Sequence, residues 1–362
     1  MRRTKMDTTK LYENLARHLD QGIVGTPKSP ALIEILKILF PGEEAEIAAR
    51  LPMQSKTLLE LKELFPEKAD ALEDILGRMA DRGTVYTIQK PGQERKYRLF
   101  PSVVGWAETP FWAGKETEDT RRLGPLWLQY REEAFGQELT RGDLPVMRVI
   151  PESATIQDTR QVLPHDQLKP KIESTSYRAV GHCPCRMMKK TVGEGCDYSL
   201  ENCLHFGSMG RYMVEHGMAR EISVDETLNI LKDANEEGLV HIIDNVEGHM
   251  STICNCCGCC CVFLDTQKKM GIHAISSSNY IAGVDSEECV GCGTCEERCP
   301  MEAIAVKDDS VAQVNEALCI GCGVCIPTCD TEAVGLVQRV ETNPPPDLEK
   351  FFTVRYKAEE GV

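Results

Sequence analysis

Aromatic residues are scarce in this chain of 362 residues, at 6%, and long apolar runs are missing altogether. The most apolar helical stretch, residues 31–40, is short and broken by Glu34 and Lys37, which rules out a spanning helix. Arg2 and Arg3 near the start are not followed by the apolar segment of a signal peptide, so export is not expected and the chain reads as soluble and cytoplasmic. Neither a G-x-G-x-x-G fingerprint nor a Walker-A sequence occurs, leaving no evident nucleotide or flavin site. Bases are also in deficit: 41 Lys and Arg face 56 Asp and Glu, a formal net charge of −15. That surface makes nucleic acid an unlikely partner.

Cysteine, by contrast, is abundant. In a reducing compartment, eighteen cysteines argue for metal or redox chemistry over structural disulfides. Eight of them fall in two runs, Cys289-Val-Gly-Cys292-Gly-Thr-Cys295-Glu-Glu-Arg-Cys299-Pro300 and Cys319-Ile-Gly-Cys322-Gly-Val-Cys325-Ile-Pro-Thr-Cys329. Each C-x2-C-x2-C loop turns tightly enough to offer three thiolates to one 4Fe-4S cubane, and the glycines let the backbone close around sulfide. The fourth ligand of a two-cluster protein crosses over. Cys289, Cys292 and Cys295 are therefore expected to share a cluster with Cys329, and Cys319, Cys322 and Cys325 with Cys299.

The two runs form an internal repeat of period thirty, with Glu302-Ala-Ile answering Glu332-Ala-Val. One departure is that Pro300 follows Cys299 whereas Asp330 follows Cys329, placing a carboxylate near one cluster. Zinc ribbons and disulfide frameworks also use C-x2-C pairs, but neither calls for this duplicated order. Residues 280–335 closely resemble the bacterial two-cluster ferredoxins, a resemblance that implies a small pseudo-twofold α+β fold and one-electron exchange at low potential. The same segment holds eleven acids against Arg298 and Lys307, a local balance of −9. Such a face suits a transient, salt-sensitive encounter with a basic patch on a redox enzyme.

The length admits two or three domains. Residues 1–28 read as an N-terminal arm with an amphipathic stretch from Leu11 to Leu19. Over 29–101, Leu32, Ile35, Leu36 and Leu39 share one helical face, and Leu72, Ile75, Leu76 and Met79 another that Gly83 stops. Short helices are expected over 43–51 and 57–64. Strands over 84–89 and 95–100 flank a Pro91-Gly92 turn. Helices ending in a hairpin resemble a winged-helix domain. The helix spanning 67–83 carries five acids and three bases, so protein docking is a better reading than DNA binding. Residues 102–179 form a connecting region whose Trp106, Trp112 and Trp127 suit a packing bridge. The expected fold is multidomain α+β: the winged-helix-like part, a cysteine-rich α/β domain over 180–279, a ferredoxin-like domain over 280–337, and a C-terminal tail over 338–362.

The other ten cysteines, Cys183, Cys185, Cys196, Cys203, Cys254, Cys256, Cys257, Cys259, Cys260 and Cys261, all lie in the middle domain. Between its two groups, Ser223 and Glu226 form a capping box that opens a helix, stopped near Gly238 and followed by an apolar strand over 239–243. Six cysteines in eight residues cannot all aim at one point in a regular element, so an irregular loop around a metal or cluster is expected. The open readings, in order of preference, are an additional iron–sulfur cluster, a zinc site and a redox-active thiol pair. Arg186, Lys189 and Lys190 would stabilise thiolate or an anionic cluster. Cys185, Cys196 and Cys203, with one or more of residues 254–261, are the expected ligands, and two or three of the ten are expected to be inert.

In its order of parts, with Cys183-Pro-Cys185-Arg186, then Cys254-Asn-Cys256-Cys257-Gly-Cys259-Cys260-Cys261, then the two ferredoxin runs, the chain resembles a family of cysteine-rich 4Fe-4S binding proteins from anaerobic microbes. The resemblance implies electron transfer in anaerobic metabolism without naming a substrate. The leading expectation is thus an electron-transfer subunit with two 4Fe-4S clusters serving a partner dehydrogenase, reductase or flavoprotein. Alternatives are a redox enzyme with a catalytic cluster or thiol centre in the middle domain, and an iron–sulfur redox-sensing regulator.

Overall fold

The computed structural model describes residues 8–90, 92–151, 167–307 and 311–356. The Arg2-Arg3 pair, Pro91 of the expected turn, and Asp308 and Asp309 of the acidic segment lie outside them.

The N-terminal part is built of helices around a small sheet. Helix α1 (Thr8–Leu19) buries Leu11, Leu15 and Leu19 and ties the Tyr12 hydroxyl to the Phe40 carbonyl at 2.9 Å. Helix α2 (Pro30–Leu39) starts where the Ser29 side chain accepts from the Leu32 N–H and Pro30 presets the first turn, and it buries the expected Leu32, Ile35, Leu36 and Leu39. Helices α3 (Glu43–Ala48), α4 (Leu58–Leu64) and α5 (Leu72–Arg82) follow, with strand β1 (Lys56–Thr57) immediately before α4. Helix α5 ends on Gly83, whose φ of 79° is the left-handed conformation a C-cap requires. Strands β2 (Val85–Ile88) and β3 (Lys96–Leu99) pair antiparallel, and β1 adds to β3, giving the order β1-β3-β2.

The next stretch carries α6 (Thr109–Trp112), α7 (Glu118–Tyr130), the single turn α8 (Gly136–Glu138) and strand β4 (Met147–Val149). Its three tryptophans are all buried in one apolar core that also takes in α1, α2, α5 and parts of the middle and C-terminal regions. Trp106 and Trp127 stand 5.5 Å apart, and Trp112 meets His205 edge-on at 5.1 Å.

In the middle region come α9 (Leu168–Ser174), β5 (Arg178–His182), α10 (Pro184–Thr191), β6 (Glu201–Phe206), α11 (Gly207–Glu215), β7 (Arg220–Glu221), α12 (Val224–Glu237), β8 (Val240–Asp244), β9 (Thr252–Cys256) and α13 (Val262–Met270). Half of the expected capping box forms at α12: Ser223 accepts from the Glu226 N–H, while the Glu226 carboxylate turns to Arg220, and Gly238 closes the helix with φ of 84°. Six strands form one sheet in the order β4-β8-β9-β6-β5-β7, and their ladders are antiparallel. The alternation of helix and strand therefore does not build parallel βαβ units, and β4, from the expected connecting region, closes one edge.

The C-terminal module pairs β10 (Tyr280–Val284) with β13 (Val334–Gln338), and β11 (Ile304–Val306) with β12 (Ala312–Val314), around the short α14 (Thr294–Arg298). Its repeat is written in the backbone. Gly291 and Gly321 have φ of 67° and 66°, Gly293 and Gly323 of 82° and 79°, and Glu302 and Glu332, both non-glycine, of 55° each. Beyond it, α15 (Leu348–Arg355) returns to the N-terminal part. The fully buried Arg355 side chain donates to the carbonyls of Ile23, Arg141 and Leu144.

Candidate metal centres

None of the eighteen cysteines is joined in a disulfide. The eight in the C-terminal repeat line two separate cavities. One is walled by Cys289, Cys292, Cys295 and Cys329, the other by Cys299, Cys319, Cys322 and Cys325. In each, three thiols come from a single loop whose glycines hold positive φ, and the fourth from the opposite half.

The surroundings fit sulfur-rich anionic groups. The Ala303 N–H donates to Cys299 Sγ at 3.2 Å and the Ala312 N–H to Cys289 Sγ at 3.4 Å. The two cavities differ in polarity. In the first, Cys292 Sγ lies 3.5 Å from Thr294 Oγ1 and Cys329 Sγ 3.7 Å from Thr331 Oγ1, and the hydrogen bonds from Thr294 hold the exposed Cys292 thiol below its ordinary range. In the second, residues in the corresponding places are Val324 and Met301, the walls include Ile320 and Leu336, and burial pushes the Cys325 thiol up to about 12. The first cavity opens beside exposed Val290, Glu287, Glu288, Glu296 and Glu297. The second faces inward.

Its inward face is fastened to the middle region. Ser278 Oγ donates to the Gly321 carbonyl at 2.6 Å, and Arg298 donates to the carbonyls of Val324, Asn235 and Glu236. A Cβ placed on Gly258 would sit 2.3 Å from the Pro300 carbonyl oxygen, so only glycine permits this approach. Gly258 lies among the middle cysteines and Pro300 adjoins Cys299.

The ten middle cysteines divide into two sets. Cys196, Cys257, Cys259 and Cys260 place all four sulfurs within 4.8 Å of one another, and among the described residues no other group of three or more His, Cys, Asp or Glu ligand atoms does so. Three Sγ–Sγ separations are 3.8 Å (Cys196–Cys257), 3.7 Å (Cys259–Cys260) and 3.6 Å (Cys260–Cys196). A tetrahedron with metal–sulfur bonds of about 2.3 Å has edges of about 3.8 Å. The contact with Cys260 and the nearby Arg186 charge bring the Cys257 thiol down to about 4 against the effect of burial.

Cys183, Cys185, Cys203, Cys254, Cys256 and Cys261 line a different cavity, together with Trp112 and Glu108. Register explains the grouping. Strands β6 and β9 pair Leu204 with Ile253, which sets Cys203 alongside Cys254; β5 pairs Gly181 with Cys203, which brings Cys183 and Cys185 to the same end. Cys254 and Cys256, two apart on a strand, share a face. The sequence expectation that Cys185 and Cys203 would join Cys196 is not what the structure brings together: Cys196 stands with Cys257, Cys259 and Cys260, and the other two line the second set. His205 Nε2 lies 3.3 Å from Cys203 Sγ and its Nδ1 3.1 Å from Thr252 Oγ1, a contact to the thiol that cysteine spacing alone could not disclose.

Between the sets sits Arg186, fully buried. Its guanidinium donates to the Ser199 and Asn255 carbonyls and to Asn202 Oδ1, and among the described residues it has no carboxylate partner. Burial opposes its charge, yet the neighbouring Cys183 and Cys257 sulfurs hold it protonated. Lys189, another of the three cations expected to serve the thiols, pairs with Glu194.

Among the described residues no helix is long and apolar enough to cross a membrane. No curated protein and no solved structure matches the chain. Residues 282–336 match the family model described as a 4Fe-4S dicluster domain, so the chain carries an iron–sulfur module of ferredoxin type at the end of a larger assembly of helices and sheets.

Proposed function

We propose that the protein is a cytoplasmic electron-transfer subunit, holding one 4Fe-4S cluster on Cys289, Cys292, Cys295 and Cys329 and a second on Cys299, Cys319, Cys322 and Cys325. The observation that carries this reading is the sorting of eight thiols into two cavities of four, each drawing its fourth thiol across the repeat. The clusters, when bound, supply reversible one-electron exchange. The chain's own part is to orient them: the inner cage abuts the cysteine-rich loop through Pro300 and Gly258, and the outer cage reaches the surface at Cys292. Electrons then pass between the middle region and a partner oxidoreductase whose basic patch meets the acidic rim.

The spacing of Cys196, Cys257, Cys259 and Cys260 supports a single tetrahedral thiophilic ion, zinc or iron, better than a cubane, whose thiolates sit on four different irons and stand farther apart. The N-terminal helices and the β1-β3-β2 sheet support a winged-helix-like scaffold. Its α5 and β2 are occupied by the middle region, where Tyr212 donates to the Ala80 and Val85 carbonyls and His216 meets Asp81 at 2.7 Å. That packing favours a docking role over entry into a DNA groove.

Anaerobic reductive titration tests the proposal. The full chain should take up about two electrons through its ferredoxin module at low potential, with bleaching of the iron–sulfur absorption. A chain that assembles its iron and accepts no electrons would not be a carrier.

A further inference from the structure

The six thiols left outside the ferredoxin cavities and the four-thiol cage form a chamber of their own. Cys203, Cys256 and Cys261 are buried, and Cys183, Cys185 and Cys254 partly so, yet all six line one cavity. The β6–β9 register sets Cys203 beside Cys254, and Cys254 and Cys256 share a face of β9. No three of them meet the close mutual spacing of the four-thiol cage. A single ion could not gather a set so spread out; sulfide-bridged irons, each taking its own thiolate, could.

Two further observations point to an anionic occupant. Arg186 is a fully buried cation that donates to the Ser199 and Asn255 carbonyls and to Asn202 Oδ1, with its Nε unpartnered and, among the described residues, no carboxylate paired with it. Burying a cation without a counter-charge is costly, and sulfur carrying negative charge on both sides of Arg186 would remove that cost. Trp112, also fully buried, lines the chamber and has an indole N–H with no acceptor. Sulfide and thiolate are acceptors for such a donor.

We propose that Cys183, Cys185, Cys203, Cys254, Cys256 and Cys261 hold a third, polynuclear iron–sulfur centre, separate from the mononuclear cage and from the two ferredoxin clusters. Cys256 and Cys261, which line the chamber, flank the 257–260 turn whose Gly258 meets Pro300, so a centre here would be joined through that turn to the inner ferredoxin cavity. The inference rests on the reading that the chain assembles iron–sulfur clusters.

Acid-labile sulfide decides it, since a mononuclear ion contributes none. The full chain, purified without oxygen, should hold about twelve or more sulfides, against about eight for the ferredoxin pair alone. Cys254→Ser with Cys256→Ser should lower the count by about four, whereas Cys259→Ser should remove one zinc or iron and leave sulfide unchanged. About eight sulfides in the unaltered chain would overturn the proposal, as would loss of the additional sulfide in the Cys259→Ser variant. Should the double variant fail to fold, Cys203→Ser serves instead, and its retained ferredoxin absorption reports folding. Failure of the ferredoxin reading would look different: sulfide would then be indifferent to Cys292→Ala and to Cys322→Ala.

Discussion

Gly258 and Pro300 meet so closely that a methyl group on Gly258 would lie 2.3 Å from the Pro300 carbonyl oxygen. The obstructing atom is backbone, so it cannot swing away as a side-chain tip would. The contact joins the loop of the four-thiol cage to the residue following Cys299.

Gly258→Ala should therefore loosen the seat of the ferredoxin module. The forced shift is expected to cost roughly 1–3 kcal/mol, read as a lower denaturant midpoint by tryptophan fluorescence under anaerobic conditions, with the iron content kept. An unchanged midpoint would show that the junction is not held tightly.

Polarity distinguishes the two ferredoxin cavities. Hydroxyl groups near Cys292 and Cys329 would stabilise the more negative, reduced state of a cluster held in the outer cavity. Thr294→Val combined with Thr331→Val should lower the potential of one cluster by tens of millivolts and leave the other in place. Potentiometric titration followed by low-temperature spin resonance measures both; a shift in neither would remove the hydroxyl groups from the account.

Charge at the outer rim gives a kinetic test. Oxidation of the reduced protein by a trivalent cobalt ammine cation should slow roughly tenfold between low salt and about 0.5 M ionic strength, because screening shortens the reach of the acidic face. An anionic oxidant should show the opposite trend. Equal salt dependence for both would contradict electrostatic steering at this site.

Arg355 illustrates what the sequence could not disclose. A tail with little periodicity hides that its last helix carries a fully buried guanidinium, donating to four carbonyls, of Ile23, Glu138, Arg141 and Leu144, from the N-terminal and connecting stretches. Arg355→Met leaves those acceptors unpaired and should cost about 2–4 kcal/mol in chemical denaturation; a loss below about 0.5 kcal/mol would mean that water replaces the bonds.

Local signals were legible wherever sequence neighbours do the work. The cap at Ser223, the stop at Gly83, the apolar faces of α2 and α5, and the period of thirty that recurs in the φ angles of Glu302 and Glu332 all depend on residues close in the chain. The middle cysteines were not, because their grouping depends on strand register. Whether Cys203 stands beside Cys254 or near Cys196 is decided by how β6 pairs with β9, and spacing along the chain carries no trace of that pairing. The merging of the three tryptophans into one core with α1 and the ferredoxin loops is likewise a product of tertiary packing.

The claim that two clusters sit on crossed sets of cysteines is tested most directly by iron analysis of the anaerobically purified Cys292→Ala variant beside the unaltered chain. The account predicts loss of about four irons, with the cluster on Cys299, Cys319, Cys322 and Cys325 still assembled and reducible. Iron content equal to that of the unaltered chain would contradict it.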